Sequence, residues 1–190
     1  ETLRSFEHTV HAVTEGALLS LYKFDKYITK NEEDSGAIES ISIVAEGPAK
    51  LKEGKAGVHK AQIISDATAF GRELGNAPGN EIYPQTLGEA ARQSAERSGF
   101  TATVLDEQEI KDLGMGGVLG VCQGSAHPPR FIILEYGPPS KHPVVLVGKG
   151  VTFDSGGISI KPSAGMAEMK MDMSGAAAVI GTFEAVARLK

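Results

Sequence analysis

Two lysines and two aspartates lie in a glycine-rich stretch, VGKGVTFDSGGISIKPSAGMAEMKMDM, that covers residues 147–173. They are Lys149, Asp154, Lys161 and Asp172, and their spacing fits no ordinary amphipathic surface. Carboxylates are hard oxygen donors that suit magnesium, manganese or zinc. A lysine also binds a metal ion when its amine is neutral, and a second lysine beside the ion would stabilise a developing oxyanion. One interpretation of the stretch is therefore a metal site.

A simpler interpretation treats the same residues as unrelated charges. A lone lysine or aspartate in a loop is most often solvated. Asp172 is also explained as an N-cap or first-turn acid of a helix that begins near Ser174. The spacing alone leaves both interpretations open.

Two other kinds of chemistry fit the stretch poorly. A P-loop needs G-x-x-x-x-G-K-[ST], which the residues before Lys149 do not supply, and the dinucleotide pattern G-x-G-x-x-G has Phe153 at its third glycine. Ser155 does not lie in a G-x-S-x-G elbow, and Cys122 is most simply a small buried hydrophobe. Neither nucleotide binding nor nucleophilic catalysis is favoured.

Several apolar runs predict strands that would carry this stretch. The runs RFIILEY (residues 130–136) and PVVLVGK (residues 143–149) are typical of strands buried on both faces. Residues 100–105 and the alternating segment 37–47 also predict strands. Lys149 would then lie at the carboxyl end of a strand, where open α/β sheets place their ligands. The expected fold is α/β, with a mostly parallel or mixed sheet covered by helices.

Helical periodicity predicts the elements between these strands. An opening helix carries an apolar stripe, a polar segment at residues 47–57 resembles a linker, and a helix from residue 58 ends at Gly75-Asn76, before Pro78. Further helices are expected at residues 86–98, after the capping box formed by Asp106 and Glu109, and from residue 174 onward. The opening stripe consists of Leu3, Phe6, Val10, Val13, Ala17, Leu18 and Leu21.

Composition excludes some partners and favours one location. The net charge of −5 argues against a nucleic-acid or anionic-membrane surface. The single cysteine forms no internal disulfide, there is no apolar run of about 20 residues, and no leader pattern opens the chain. A cytoplasmic protein is therefore expected. Both termini run directly through helical sequence, so we also expect the chain to be a piece of a longer protein.

The stretch VGKGVTFDSGGISIKPSAGMAEMKMDMSGAA closely resembles the signature region of the leucyl (cytosol) aminopeptidase family, which are two-metal exopeptidases. The segments NAPGNEIYP (residues 76–84) and GVLGVCQGSAHPPRFIILEY (residues 117–136) are similar to the catalytic domain of that family. The resemblance implies an enzyme that releases N-terminal amino acids, leucine or other apolar residues, from peptides by activating water with two metal ions.

The resemblance also implies a role for each residue of the site. Lys149 would be the amine ligand of the tightly held metal, Asp154 would bridge both metals, and Asp172 would complete the contribution of this chain. Lys161 would be catalytic, polarising the scissile carbonyl without binding metal. Met169 resembles a wall of the pocket for the first side chain of the substrate, with core packing as the equal alternative. The metals would be zinc or manganese, with magnesium also open.

The resemblance divides the chain into three parts. Residues 1–56 would be the end of a smaller N-terminal α/β domain plus linker, residues 57–78 a connecting helix, and residues 79–190 the first part of the catalytic domain. In the family, a downstream Asp-x-Glu-x-Arg stretch supplies further carboxylates and an arginine that orients bicarbonate. Residues 173–190 contain no such stretch. The resemblance also implies a homo-hexamer in the full-length form, and without this stretch we expect the chain to be inactive by itself. The alternative is a non-catalytic α/β module that binds a metal or a partner.

Overall fold

The computed structural model describes residues 5–29 and 38–190, and contacts divide the chain into two compact units, residues 1–69 and 70–190. Six α-helices, one 3-10 helix and two strands are formed by these described residues. In chain order they are α1 (Phe6–Leu21), α2 (Gly47–Asn76), α3 (Pro84–Ser98), β1 (Thr101–Leu105), α4 (Glu107–Asp112), α5 (Gly116–Cys122), β2 (Phe131–Glu135), a 3-10 helix (Met166–Met171) and α6 (Ser174–Leu189).

In the first unit, α1 packs closely on the N-terminal half of α2. Helix α1 begins after Ser5, whose Oγ accepts a hydrogen bond from the backbone N–H of His8. A Cβ on Gly57 would lie 2.4 Å from the backbone oxygen of Glu7, so only glycine permits this approach of the two helices. Val10 is the buried member of the predicted stripe, and Leu3 lies outside the described residues.

Two predictions for this unit are wrong. The polar segment at residues 47–57 is the start of α2 and not a loop, because Pro48 is tolerated in a first helical turn and the glycines serve helix packing. The segment predicted as a strand at residues 37–47 is no strand over its described residues 38–47, where the isoleucines are exposed without a pairing partner. The described residues of the first unit contain α1 and the N-terminal part of α2 and no strand.

The core of the second unit lies between the end of α2, helices α3 and α6, and strand β2. The side chain of Met173 is fully buried there, next to residues contributed by each helix. Ile132 and Leu134 of β2 pack against the same cluster. The buried members are Leu74, Leu87, Ala91, Met173, Ala177 and Ile180.

The sheet confirms two of the predicted strands. Strands β1 and β2 pair antiparallel, with Thr101 opposite Glu135 and Leu105 opposite Phe131. Helix α3 covers β1 at Gly88, where a Cβ would lie 2.8 Å from a methyl of Val104. Strand β2 alternates exposed and half-buried residues, so one of its faces packs on the core and the other is exposed.

The α/β fold class is confirmed, but the sheet differs in its details from the expectation. Within the described ranges the sheet is two-stranded and antiparallel, where a mostly parallel or mixed sheet covered on both faces was expected. The prediction of a strand at residues 143–149 is wrong for this structure: the segment forms no ladder, and Val144 and Val147 are 88% and 91% exposed. An apolar run becomes a strand only when another strand pairs with it.

No helix within residues 5–29 and 38–190 combines the length and the apolar character that crossing a membrane requires.

Candidate metal centre

The backbone of residues 148–149 lies directly against the start of α6. The backbone N–H of Ala176 donates a hydrogen bond of 2.9 Å to the carbonyl oxygen of Lys149. A Cβ on Gly148 would be 2.3 Å from the backbone oxygen of Gly175, and a Cβ on Gly175 would be 2.8 Å from the backbone nitrogen of Lys149. This pair of glycines therefore allows residues 148–149 to lie close to the start of α6, and this contact sets the position of the Lys149 backbone.

Lys149 and Asp172 form the first ion pair of the site. The Nζ atom of Lys149 lies 2.8 Å from Oδ1 of Asp172, and the lysine side chain is 60% exposed while the aspartate side chain is 16% exposed. The hydrogen bond that Lys149 donates to Asp172 raises the pKa of Lys149 above its usual value, with a smaller contribution from the charge of Asp154. Without a metal ion, the amine is therefore held in its protonated form.

Asp154 and Lys161 form the second ion pair, at the two ends of a tight turn. The backbone N–H of Gly156 donates a 2.8 Å hydrogen bond to Oδ1 of Asp154, and the N–H of Lys161 donates one of 2.9 Å to the carbonyl oxygen of Ser155. Gly156 has a φ of 94°, which a residue with a Cβ rarely adopts. The turn leaves Nζ of Lys161 3.2 Å from Oδ2 of Asp154.

The two ion pairs are also coupled to each other. The pKa of Asp154 is lowered from its usual value, first by the backbone hydrogen bond from Gly156 and then by Lys161, with a further contribution from the charge of Lys149. The stretch singled out in the sequence thus forms two lysine–aspartate ion pairs that lie near enough for the charge of Lys149 to act on Asp154.

The helix-capping explanation of Asp172 is wrong. Met173 occupies the N-cap position of α6, and Asp172 instead ends the preceding 3-10 helix, where its N–H donates to the carbonyl oxygen of Met169 at 3.2 Å. Met169 itself is half-buried and lies outside the core cluster of the second unit.

One carboxylate oxygen of the site is without a partner. Oδ2 of Asp172 is buried and accepts no hydrogen bond from any described residue. A buried carboxylate oxygen normally requires a donor or a cation. The described residues contain no group of three or more histidine, cysteine, aspartate or glutamate side chains arranged for a metal. The donors here are two aspartates and one lysine, which together with the unpartnered oxygen fit a hard divalent cation.

Sequence reasoning missed the residues that support this cluster. Gly148 and Gly175 were not recognised as a pair because 27 positions separate them, and glycine-rich composition is only a general sign of close backbone approach. Lys170 was also missed: its Nζ donates a 2.6 Å hydrogen bond to the carbonyl oxygen of Asn76, the last residue of α2. Nothing in the spacing of Lys170 indicates that contact.

Comparison with known proteins first gives the class of domain. The sequence model described as "Cytosol aminopeptidase family, catalytic domain" matches residues 69–190. The match therefore covers the whole of the second unit, including the candidate metal centre. The chain belongs to the cytosol aminopeptidase family, a family of peptidases.

Curated relatives carry the similarity across nearly the whole chain. A "Probable cytosol aminopeptidase" from Syntrophotalea carbinolica is 46% identical over 184 residues, which are 95% of this chain and 37% of the relative. A protein with the same description from Geobacter sp. (strain M21) is 46% identical over 188 residues, 98% of this chain and 38% of the relative. The chain thus spans less than two-fifths of the length of these relatives.

Solved structures support the same fold. The bottromycin maturation enzyme BotP in complex with Mn superposes with a TM-score of 0.79 at 35% identity, covering 95% of this chain and 36% of that one. The apo leucyl aminopeptidase from Trypanosoma cruzi superposes with a TM-score of 0.62 at 35% identity, covering 68% of this chain and 26% of that one.

Proposed function

We propose that the protein containing this chain is a metal-dependent aminopeptidase that releases N-terminal amino acids, preferentially leucine or other apolar residues, from peptides. Family membership supports the peptidase class. The observation that carries the proposal is the convergence of the two lysine–aspartate pairs beside a buried, unpartnered oxygen of Asp172.

Three side chains would hold the metal ions in this proposal: Lys149, Asp154 and Asp172. Divalent ions bound there would supply an acidified water and a positive charge for the substrate carbonyl. Manganese is supported by the similarity to BotP, described in complex with Mn, and zinc or magnesium also suits the carboxylate donors. Asp154 would serve both ions in this proposal; in the structure its Oδ1 accepts a hydrogen bond from the N–H of Gly156 and its Oδ2 pairs with Lys161.

Lys161 would act on the substrate and not on the metal. Its ammonium group is held 3.2 Å from Asp154 by the turn at Gly156, so its charge is fixed in place before substrate binds. A fixed cation near the scissile carbonyl would stabilise the negative charge that develops on its oxygen. Met169, half-buried on the 3-10 helix beside the site, would contact the first side chain of the peptide.

The remaining parts of the proposal concern the whole protein. We propose residues 1–56 as the end of an N-terminal domain that runs into the first turns of α2, residues 57–78 as the connecting helix and residues 79–190 as the first part of the catalytic domain. A homo-hexamer, bicarbonate as a base and a cytoplasmic location belong to the same proposal, and relatives described as cytosol aminopeptidases support the location. No membrane or nucleic-acid partner is proposed.

A non-catalytic module that binds a metal or a partner is the second candidate. It would use the same two lysine–aspartate pairs and requires no turnover of a substrate. Under the main proposal, this chain alone binds metal but does not turn over substrate, and hydrolysis belongs to the protein that contains it. The two candidates therefore differ in hydrolysis and agree on metal binding.

The metal content of the chain tests the proposal. We expect about one equivalent of manganese or zinc after dialysis against each metal, measured by elemental analysis, because this chain supplies the ligands of the tight site. Asp154→Ala should lose the bound metal, and in the protein that contains the chain it should abolish hydrolysis of a leucine peptide. Asp25→Ala removes an exposed carboxylate of the first unit and should change neither quantity.

Two outcomes would contradict the assignment. Full hydrolysis with Asp154→Ala would remove Asp154 from the catalytic site. Metal binding without any hydrolysis in the protein that contains the chain would favour the non-catalytic module.

A further inference from the structure

Lys170 joins the 3-10 helix of the candidate metal centre to the C-terminal end of α2. Its Nζ donates a 2.6 Å hydrogen bond to the carbonyl oxygen of Asn76, across a sequence separation of 94 residues. We propose that Lys170 is a positioning residue: it holds the segment that delivers Asp172 to the site by binding the last carbonyl of α2. The proposal rests on the metal centre proposed above and names a residue that supports it.

The contact is favourable for general reasons. The last carbonyl groups of an α-helix have no partner within the helix and carry partial negative charge. A lysine ammonium at this end satisfies one carbonyl and interacts favourably with the helix dipole. Helix α2 has no basic residue in its own last turn, so Lys170 supplies from elsewhere in the chain the cation that the helix lacks.

Asp172 is fixed on both sides by contacts to the same region. Two residues before it, Lys170 binds the end of α2, and immediately after it, the side chain of Met173 is fully buried in a core that includes Leu74 of α2. Residues this close in sequence to the carboxylate leave it little freedom to rotate away. The backbone beside Asp172 is therefore restrained on both sides, and its ion pair with Lys149 orients the carboxylate.

The turn after α2 also lies close to the segment that carries Asp154. A Cβ on Gly79 would lie 3.6 Å from the ring of Phe153, the residue before Asp154. The turn itself is closed by hydrogen bonds from the N–H groups of Glu81 and Ile82 to the carbonyl oxygen of Pro78. The end of α2 thus lies beside the segments that carry both carboxylates, and Lys170 binds it from the segment that carries Asp172.

Lys170 is not proposed as a ligand or as a group that touches substrate. Its ammonium is directed to Asn76, whereas Lys149 and Lys161 are the lysines paired with the aspartates of the site. Supporting residues around metal ligands typically change metal affinity about 10- to 100-fold when they are replaced. That range sets the expected size of the effect.

The first test is amide hydrogen exchange at residues 166–173, measured on the whole chain without metal. The N–H of Asp172, which donates to Met169, should exchange at least about tenfold faster in Lys170→Met than in the original chain, because the helix loses its contact with α2. Lys170→Arg keeps a cationic donor and should restore slow exchange. Lys141→Met, which replaces an exposed lysine in a loop, is the matched control and should have no effect.

The second test is the affinity for Mn²⁺ alone, measured by titration with detection of the free ion by electron paramagnetic resonance. Lys170→Met should weaken binding roughly 10- to 100-fold, and Lys170→Arg should remain within about threefold of the original chain. A change in affinity at an unchanged unfolding midpoint separates positioning from a general loss of stability. If Lys170→Met does not fold, Lys170→Gln replaces it in both tests.

The exchange test and the Mn²⁺ test can each give a negative result without the other. Unchanged exchange at Asp172 in Lys170→Met, or faster exchange in Lys141→Met to the same degree, would overturn the positioning role. If the original chain binds no Mn²⁺ at all, the proposed metal centre is overturned, while faster exchange in Lys170→Met would still support the contact to α2. If exchange accelerates and Mn²⁺ affinity does not change, Lys170 does not position the site.

Discussion

Gly148 and Gly175 allow two backbone segments to lie closer than residues with a Cβ would permit, and the position of Lys149 depends on that approach. The charged residues of the site could be selected from the sequence because lysines and aspartates at irregular spacing in glycine-rich sequence are unusual. Their pairing could not be predicted, since it depends on backbone contacts between segments 27 positions apart. The residue types therefore predict which side chains form the site, but they do not predict which of them pair.

Replacement of Gly148 by alanine tests this dependence. The new Cβ would lie 2.3 Å from the backbone oxygen of Gly175, so the segment must move away from α6. We expect the free energy of unfolding to fall by about 1–3 kcal/mol, as in other cases of overpacking, and the bound metal to be lost. Urea unfolding and metal analysis measure the two effects.

Gly157→Ala is the matched control for this substitution. A Cβ at Gly157 meets no described atom within 4 Å, and the residue lies in the same stretch as the site. It should therefore leave stability within about 0.5 kcal/mol and metal content unchanged. Equal metal content in Gly148→Ala and in the original chain would show that the glycine pair does not control where Lys149 lies.

The elements of the second unit were predicted where local signals were strong. The capping box of Asp106 and Glu109 does start α4, and the helix expected to stop at Gly75-Asn76 ends at Asn76. The strands at residues 101–105 and 131–135 were also found. The segment 143–149 has the same composition as a strand but no partner within the described chain, and pairing is not a local property.

A buried acidic residue joins two of these elements. Glu184 of α6 is 4% exposed and accepts a 2.8 Å hydrogen bond from Oγ of Ser94 in α3, while Arg97 of α3 forms an ion pair with it. Arg188, one helical turn along α6, lies 3.4 Å from the other carboxylate oxygen. The sequence carried a signal for this: Glu184 lies on the same stripe as Ile180 and Ala187, where an acid must have partners.

Glu184→Ala should therefore loosen α6 from α3. The hydroxyl of Ser94 is fully buried and would lose its acceptor, whereas the partly exposed arginine can hydrate. We expect the free energy of unfolding to fall by about 1–3 kcal/mol, measured by urea unfolding. Glu96→Ala, an exposed acid of α3, should change it by less than about 0.5 kcal/mol. A similar loss of stability for both substitutions would show that the buried hydrogen bond between Ser94 and Glu184 contributes no more than an exposed acid does.

At the scale of the whole molecule, the division of the chain agrees with the limits of the family match. The second unit begins at Phe70 and the catalytic-domain match begins at residue 69, while the chain covers 36% to 38% of the curated relatives and of the BotP structure. The family could be identified from the sequence alone, because the motif that begins at Val147 is specific to it. It could not determine which apolar runs are paired, because pairing depends on contacts made by the complete fold.

The exposed apolar run at residues 143–147 gives a prediction for the chain as a molecule in solution. Val144, Val145 and Val147 are 88%, 73% and 91% exposed in an extended, unpaired segment, which is a template for pairing with another chain. We expect the average mass of this chain, measured by sedimentation velocity, to rise with concentration. Val145→Lys should reduce that rise, because a charged edge resists pairing. Ile28→Lys replaces an exposed residue outside the run and should leave the association unchanged; an equal reduction by both substitutions would rule out the run as the contact.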